Sequence, residues 1–232
     1  KEVTNISNLV LYYSFDTNTS STLVYDYTNN HFDGVKTNTV WNSTGKYGGS
    51  MDFNSASTPD ITVSNYKNME NNNNIYAPVS NNSGTIITWV KLNDVTSRKW
   101  LARSINPDFY STFIEFSTTT NYLRFAIDDG AGGDISSNFN SWGNSWHNVA
   151  VTWNGTNTSI YIDGSLDISG AQTYANPWTT GLVIGQRIGA QYFNGSIDEF
   201  MILSTDLNSS QISDIYNNLK TYNGWYLPKF NN

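Results

Sequence analysis

The chain has 232 residues, a net charge of −7 and no cysteine. These values exclude disulfides, thiolate metal sites and thiol nucleophiles, and they leave no basic stripe to neutralise nucleic-acid phosphates. With 38% hydrophobic, 15% aromatic and only 13% charged residues, the chain can bury one sizeable core and reads as a single domain. Its Asn, Ser, Thr and Tyr content suits a secreted or surface protein. No apolar run approaches the roughly 20 residues of a membrane helix. The start at Lys1 without Met reads as a processed protein, or as one domain of a longer one.

In chain order, Leu9–Phe15 is the first expected strand and residues 16–34 a long polar loop. Met51–Phe53 and Ile61–Val63 are short strands. Residues 64–84, with runs of asparagine, form a surface excursion in which Ile75–Val79 pairs briefly with a neighbour. Ile86–Leu92 alternates cleanly and should be a central strand. Trp100–Ser104, Phe113–Phe116 and Tyr122–Ile127 follow, then a Gly-rich turn over residues 128–134. Val149, Val151 and Trp153 alternate with Ala150 and Thr152, the period of a strand with one buried face. Asn154-Gly155 is a strong hairpin signal, and the chain returns as Ser159–Ile162 before turning at Asp163-Gly164. Leu182–Ile184 and Ile197–Ser204 complete the strands. Gln211, Ile212, Ile215, Tyr216 and Leu219 have helical spacing, with Ser209 or Ser210 as N-cap. A tail over residues 220–232, carrying Trp225 and Phe230, packs back on the body. Many strands with one short C-terminal helix give an all-β fold of two packed antiparallel sheets.

Trp146 to Gly164 also carries a resemblance. W-H-N-V-A-V-T-W-N-G followed by Y-I-D-G resembles the laminin-G-like, concanavalin A-like jelly-roll family. Leu11–Asp16, Asp26–Asn30, Gly49–Phe53, Thr85–Lys91, Leu182–Gly185 and Phe193–Phe200 fall in the family's order, across roughly residues 9–219. The resemblance implies a two-sheet jelly-roll β-sandwich spanning the chain as one domain. It does not fix a function, because one fold hosts many sites.

The resemblance also implies a calcium ion near Asp16, Asp26, Asn30 and Asp198, since many family members hold one where these segments meet. Carboxylate, amide and backbone oxygens are the ligands calcium takes. A second reading stands beside it: Asp16 and Asp198 cap turns through backbone amides. Glu199, adjacent to Asp198, points to the opposite face if the strand is regular. Asp128, Asp129 and Asp134 do not have the spacing of an EF-hand loop. With His31 and His147 alone, a histidine-rich transition-metal site is not expected, and His147 reads as structural.

Of eight tryptophans, Trp89, Trp146 and Trp153 lie in expected strands and read as core. Trp142 and Trp178 lie in loops, as do Tyr110 and Tyr192. A loop aromatic beside Asn140 or Asp129 suits a sugar, whose C–H faces stack on rings while amides and carboxylates take hydroxyls. The paired carboxylates that related glucanases place on one strand are missing, as is a nucleophile motif beside either histidine, so catalysis is not expected. Eight N-x-S/T sequons occur, at Asn5, Asn18, Asn42, Asn81, Asn154, Asn157, Asn194 and Asn208. Roughly seven would arise by chance, and occupancy depends on the source.

The expectation is thus an extracellular or surface recognition module, lectin-like or adhesin-like, taking a glycan or a protein partner and calcium. Multivalent display, by oligomerisation or repetition in a longer chain, would raise weak single-site affinity. Two alternatives stand: a structural surface domain of an adhesin, S-layer, filament or viral appendage, and an accessory domain of a larger glycan-active enzyme. Exposure of Trp142, Trp178 and Tyr192 separates the sugar reading from the structural one.

Overall fold

The structure is a computed structural model that describes residues 8–18, 21–64, 83–96, 98–104, 113–117, 122–126, 134–171, 181–187 and 191–221. In chain order the strands are β1 (Leu9–Tyr13), β2 (Leu23–Val24), β3 (Gly34–Thr37), β4 (Val40–Asn42), β5 (Ser50–Phe53), β6 (Asp60–Ser64), β7 (Gly84–Leu92) and β8 (Lys99–Ser104). They continue as β9 (Phe113–Phe116), β10 (Leu123–Ala126), β11 (Asp134–Ser136), β12 (Trp146–Trp153), β13 (Asn157–Ile162), β14 (Ser165–Ala171), β15 (Gly181–Ile184) and β16 (Gly195–Leu203). Helix α1 (Ser209–Thr221) closes the fold.

Among the described residues all strand pairings are antiparallel, in two eight-stranded sheets. Sheet A runs β14-β13-β12-β7-β16-β5-β4, with β1 also pairing β16; sheet B runs β11-β10-β9-β8-β15-β6-β3-β2. These are the two packed antiparallel sheets expected from the strand pattern, in the jelly-roll sandwich that the resemblance implies. Alternate residues of both sheets meet in one core, including Leu11, Ile61, Val90, Phe125, Val151, Trp153, Ile184 and Phe200. The opposite parity of sheet A is covered at one end by α1, where Ile212 and Ile215 pack on Tyr12, Ile87, Ala150 and Met201.

The β12–β13 hairpin forms where Asn154-Gly155 places it. The Asn154 side-chain oxygen accepts from the Thr156 and Asn157 amides, and Gly155 takes φ +85°. Asp163 turns the chain into β14 at φ +50°, followed by Gly164 at +77°. The Asp163 carboxylate accepts from the Asn148 amide and pairs with His147 Nδ1 at 2.8 Å, the structural role expected of that histidine.

The structure corrects three details. The cap of α1 is Asn208 rather than Ser209 or Ser210: Asn208 accepts from the Gln211 amide while Gln211 accepts from that of Asn208, a reciprocal capping box. Strands β2, β3, β4, β11 and β14 were not expected, because they are short or edge-lying and their polar residues mask the alternation. Trp146 is half-buried, unlike the buried Trp89 and Trp153. It shares the parity of Ala150 rather than that of Val149, Val151 and Trp153, so it stands on the outer face of sheet A. The expected pairing of Ile75–Val79, the turn at 128–133 and the packing of the tail from 222 lie outside the described residues.

Candidate functional site

Directly opposed residues on neighbouring strands share a face. Across sheet A, Val40 opposes Asp52, Asp52 opposes Ser196, Ser196 opposes Lys91, and Lys91 opposes Trp146. These five residues form one row over five strands, spanning about 19 Å at ordinary strand spacing. Part of this face is roofed, while its β13–β14 edge is open, with Leu166 exposed opposite Tyr161. Helix α1 covers the far end, and Tyr47 packs edge-on against Trp89, whose ring also carries Lys46 Nζ at 4.4 Å and stacks on Tyr216. The roof stops short of the row. Val40 is 66% exposed, and Asp52, Ser196, Lys91 and Trp146 are each half-buried.

The open end of the row is a groove of about 940 Å³. Asn38, Asn42, Asn54, Asn93 and Asn194 line it with Asp52, Lys91 and Ser196. Its polar groups are already ordered. Asp52 accepts from Ser196 Oγ at 2.6 Å and from Asn42 Nδ2 at 2.9 Å, and the Asn93 amide donates to the Asn194 carbonyl at 3.1 Å. Each Asp52 oxygen keeps a lone pair for a further donor. The groove therefore offers amides, hydroxyls, one carboxylate and one ammonium, with an indole at the far end of the row. That mixture can exchange hydrogen bonds with hydroxyls and stack on a C–H face. Among the described residues that line the groove, Asp52 is the one carboxylate.

A second constellation lies deeper, where β16 changes partner. Its first residues pair with β5 and its last with β1, and the register slips between Asp198 and Met201. Glu199 sits in the slip at φ +52°. The bulge prevents the strict alternation expected of Asp198 and Glu199, and both carboxylates are buried. Asp198 accepts from the Tyr47 amide at 2.9 Å and from the Glu199 amide at 2.8 Å, and Glu199 accepts from the Tyr12 hydroxyl. Asp16 reaches the same loop from the other side, accepting from the Gly49 amide at 3.1 Å. The glycines permit this approach: a Cβ on Gly48 would lie 2.0 Å from Asp16 Oδ1, and one on Gly45 2.9 Å from Asp198 Oδ2.

Burial raises the proton affinity of all three acids. Glu199 is pushed up to about 8 by desolvation and by the charge of Asp16, against the lowering effect of the Tyr12 hydroxyl. Asp198 is raised by desolvation and then by Glu199, and Asp16 by desolvation. Among the described residues no cation pairs with any of them. The donor atoms are oxygen throughout, the kind calcium takes, but the described residues contain no cluster of three acidic or histidine side chains disposed to hold a metal.

Asp26 and Asn30 do not join this set. Asp26 accepts from the Tyr12, Thr28 and Phe32 amides and from Thr28 Oγ1, all within 3.0 Å. Those four bonds use the lone pairs a carboxylate has. Asn30 is tied back through Nδ2 to the Val10 carbonyl at 2.8 Å. Both organise the β2–β3 loop, and nothing in their sequence spacing separated that work from metal binding.

The predicted loop aromatics divide. Trp142 is 1% exposed, packed edge-on against Phe116 and Phe139 with ring centroids 4.8 Å away, and so closes the core instead of forming a platform. Tyr192 is half-buried and Asn140 exposed. Trp178, Tyr110 and Asp129 lie outside the described residues. The row itself went unread in sequence. The available signal was parity, since Lys91 and Trp146 both alternate out of phase with core neighbours.

Two antiparallel sheets in jelly-roll order, with an open polar row on one of them, define a jelly-roll β-sandwich domain. The chain belongs to the Laminin_G_3 family, described as the concanavalin A-like lectin/glucanases superfamily, which it matches over residues 61–213. Comparison with the curated proteins finds no significant match. Among solved structures, it is similar to domain 4 of AbnA, a GH43 extracellular arabinanase from Geobacillus stearothermophilus, in complex with arabinotriose. That likeness has a TM-score of 0.66 at 19% identity and covers 89% of this chain and 97% of that one. It is also similar to the binding domain of botulinum neurotoxin serotype G, with a TM-score of 0.69 at 16% identity, covering 92% and 52% of the two chains. The binding domain of botulinum neurotoxin DC in complex with SialylT gives 0.70 at 18% identity, covering 92% and 52%. The chain spans about half the length of these toxin binding domains. At such identities the likeness is one of fold.

Proposed function

We propose that this chain is a non-catalytic, extracellular carbohydrate-recognition module whose ligand lies along the Val40–Trp146 row. The observation that carries the reading is the row itself: five strands of ordered amide, hydroxyl and charged groups left open beside the part of the face that α1 and the 45–49 loop cover. The adjacent carboxylates Asp198 and Glu199 are buried beneath Tyr12 and the 45–49 loop, out of the row. The similar arabinanase domain, seen with arabinotriose, supports a glycan ligand. Its near-complete coverage also favours a second reading, in which the module serves as accessory domain within a larger glycan-active enzyme.

The same proposal includes a structural calcium ion at Asp16 and Asp198, supplying positive charge that staples the N-terminal segment and the 45–49 loop to the last strand. The test is a multivalent glycan array probed with the 232-residue chain and with Trp146→Ala. Binding to a defined glycan class, lost in the variant while its circular dichroism is unchanged, is the expected result. If no glycan is bound, the domain acts through protein contacts instead.

A further inference from the structure

The row is electrically polar along its length. Lys91 stands between Trp146 and Ser196 on the central strand β7. Its ammonium makes no ion pair or hydrogen bond with any described residue. Other cations are engaged. Lys99 meets Asp94 at 2.8 Å, Lys46 lies over Trp89, and Arg98 and Arg124 converge on Glu115. Arg103 donates to the Gln186 and Ser104 carbonyls, and Arg187 to Gln191 while lying over the Trp100 ring. Two strands from Lys91, about 10 Å away, Asp52 carries a negative charge held only by neutral donors, Ser196 and Asn42.

We infer that the row selects an oligosaccharide bearing a single anionic group, a carboxylate or a sulfate, seated at Lys91 beside the Trp146 ring, with neutral sugar residues running toward Asp52. The inference rests on the glycan reading above and adds charge and direction to it. The ammonium of half-buried Lys91, without a partner among the described residues, gains a charge-assisted hydrogen bond from an anion that a hydroxyl cannot match. The indole beside it takes the C–H face of the same sugar. Asp52 accepts from hydroxyls and repels a second anion. The net charge of −7 opposes the approach of polyanions. The ligand is therefore singly charged rather than a heavily sulfated chain.

The test uses an array of neutral oligosaccharides, the same cores capped with one uronate or sialic acid, the same cores with one sulfate, and heparin fragments. The chain, Lys91→Gln and Lys91→Arg are compared on it. The singly charged members should bind roughly tenfold more tightly than their neutral parents. Lys91→Gln should level that preference and Lys91→Arg should keep it. The carboxylated and sulfated arms show which anion is the source. Equal binding of neutral and charged members, a preference that survives Lys91→Gln, or strongest binding to heparin fragments overturns the inference while leaving the glycan reading in place. Binding to no member of the array overturns both.

Discussion

Raising the pH of calcium-free protein should destabilise it. The group responsible is Glu199, which faces the Tyr12 hydroxyl from β1, the Asp16 carboxylate just beyond it, and Asp198 on its own strand. Its folded proton affinity is raised to about 8 from an ordinary 4.5. A carboxyl raised in this way binds a proton in the folded state that the unfolded chain has already released. Its contribution is therefore fully present below about pH 4.5 and is lost as pH rises toward 8. Each tenfold change in proton affinity is worth about 1.4 kcal/mol, so the loss between pH 5 and pH 9 is on the order of 4 kcal/mol. Asp198 and Asp16 are shifted in the same direction and add to it. Asp94 and Asp163 are shifted the other way, but their contribution is already complete above pH 5. At 2–4 °C per kcal/mol for a domain of this size, Tm should fall by roughly 8–16 °C. Thermal melts in EDTA from pH 5 to 9 would measure it, with Glu199→Gln as the variant whose profile flattens. A flat or rising profile in the unaltered chain, or an unchanged slope in the variant, would refute the reasoning.

Trp142→Ala should cost about 3–5 kcal/mol, the usual cost of emptying a buried aromatic site, and should leave glycan selectivity unchanged in the folded fraction, read by chemical denaturation and by the array. Two sequon asparagines, Asn42 and Asn194, line the groove. Protein made in a glycosylating host and occupied at either position should therefore bind poorly, and endoglycosidase treatment should restore binding in the same assay.

The strands that could be read in sequence are those whose two faces differ most. β7, β12 and β13 alternate between core and non-core residues over six or more positions, and their hairpin is fixed by Asn154-Gly155. β14 was missed because its sequence, Ser-Leu-Asp-Ile-Ser-Gly-Ala, lies at a sheet edge, where neither face need be apolar. The acidic junction was legible only in part. Asp16 and Asp198 flank one loop as the resemblance implied, but Glu199 was placed on the wrong side. A bulge depends on where two partner strands end, and no residue within β16 encodes that. Trp142 was misassigned for a similar reason: a polar loop sequence does not reveal that one of its side chains turns back into the core.

The junction and the row are linked through a single segment. Because β16 gives up β5 for β1 at Asp198, the chain entering β5 crosses the outer face as the 45–49 loop, and this loop roofs Trp89 next to Lys91. The loop is held by Asp198 on the Tyr47 amide and by Asp16 on the Gly49 amide. A cation at those carboxylates would thus fix that loop, a wall beside Lys91 rather than part of the groove lining, without touching the ligand. Chelation should weaken glycan binding only to the extent that the wall loosens, by a factor of a few. The preference for anionic members, set by Lys91, should survive in EDTA. Abolition of all binding in EDTA by protein that remains folded at pH 6 would place the ion in contact with the sugar and contradict the staple.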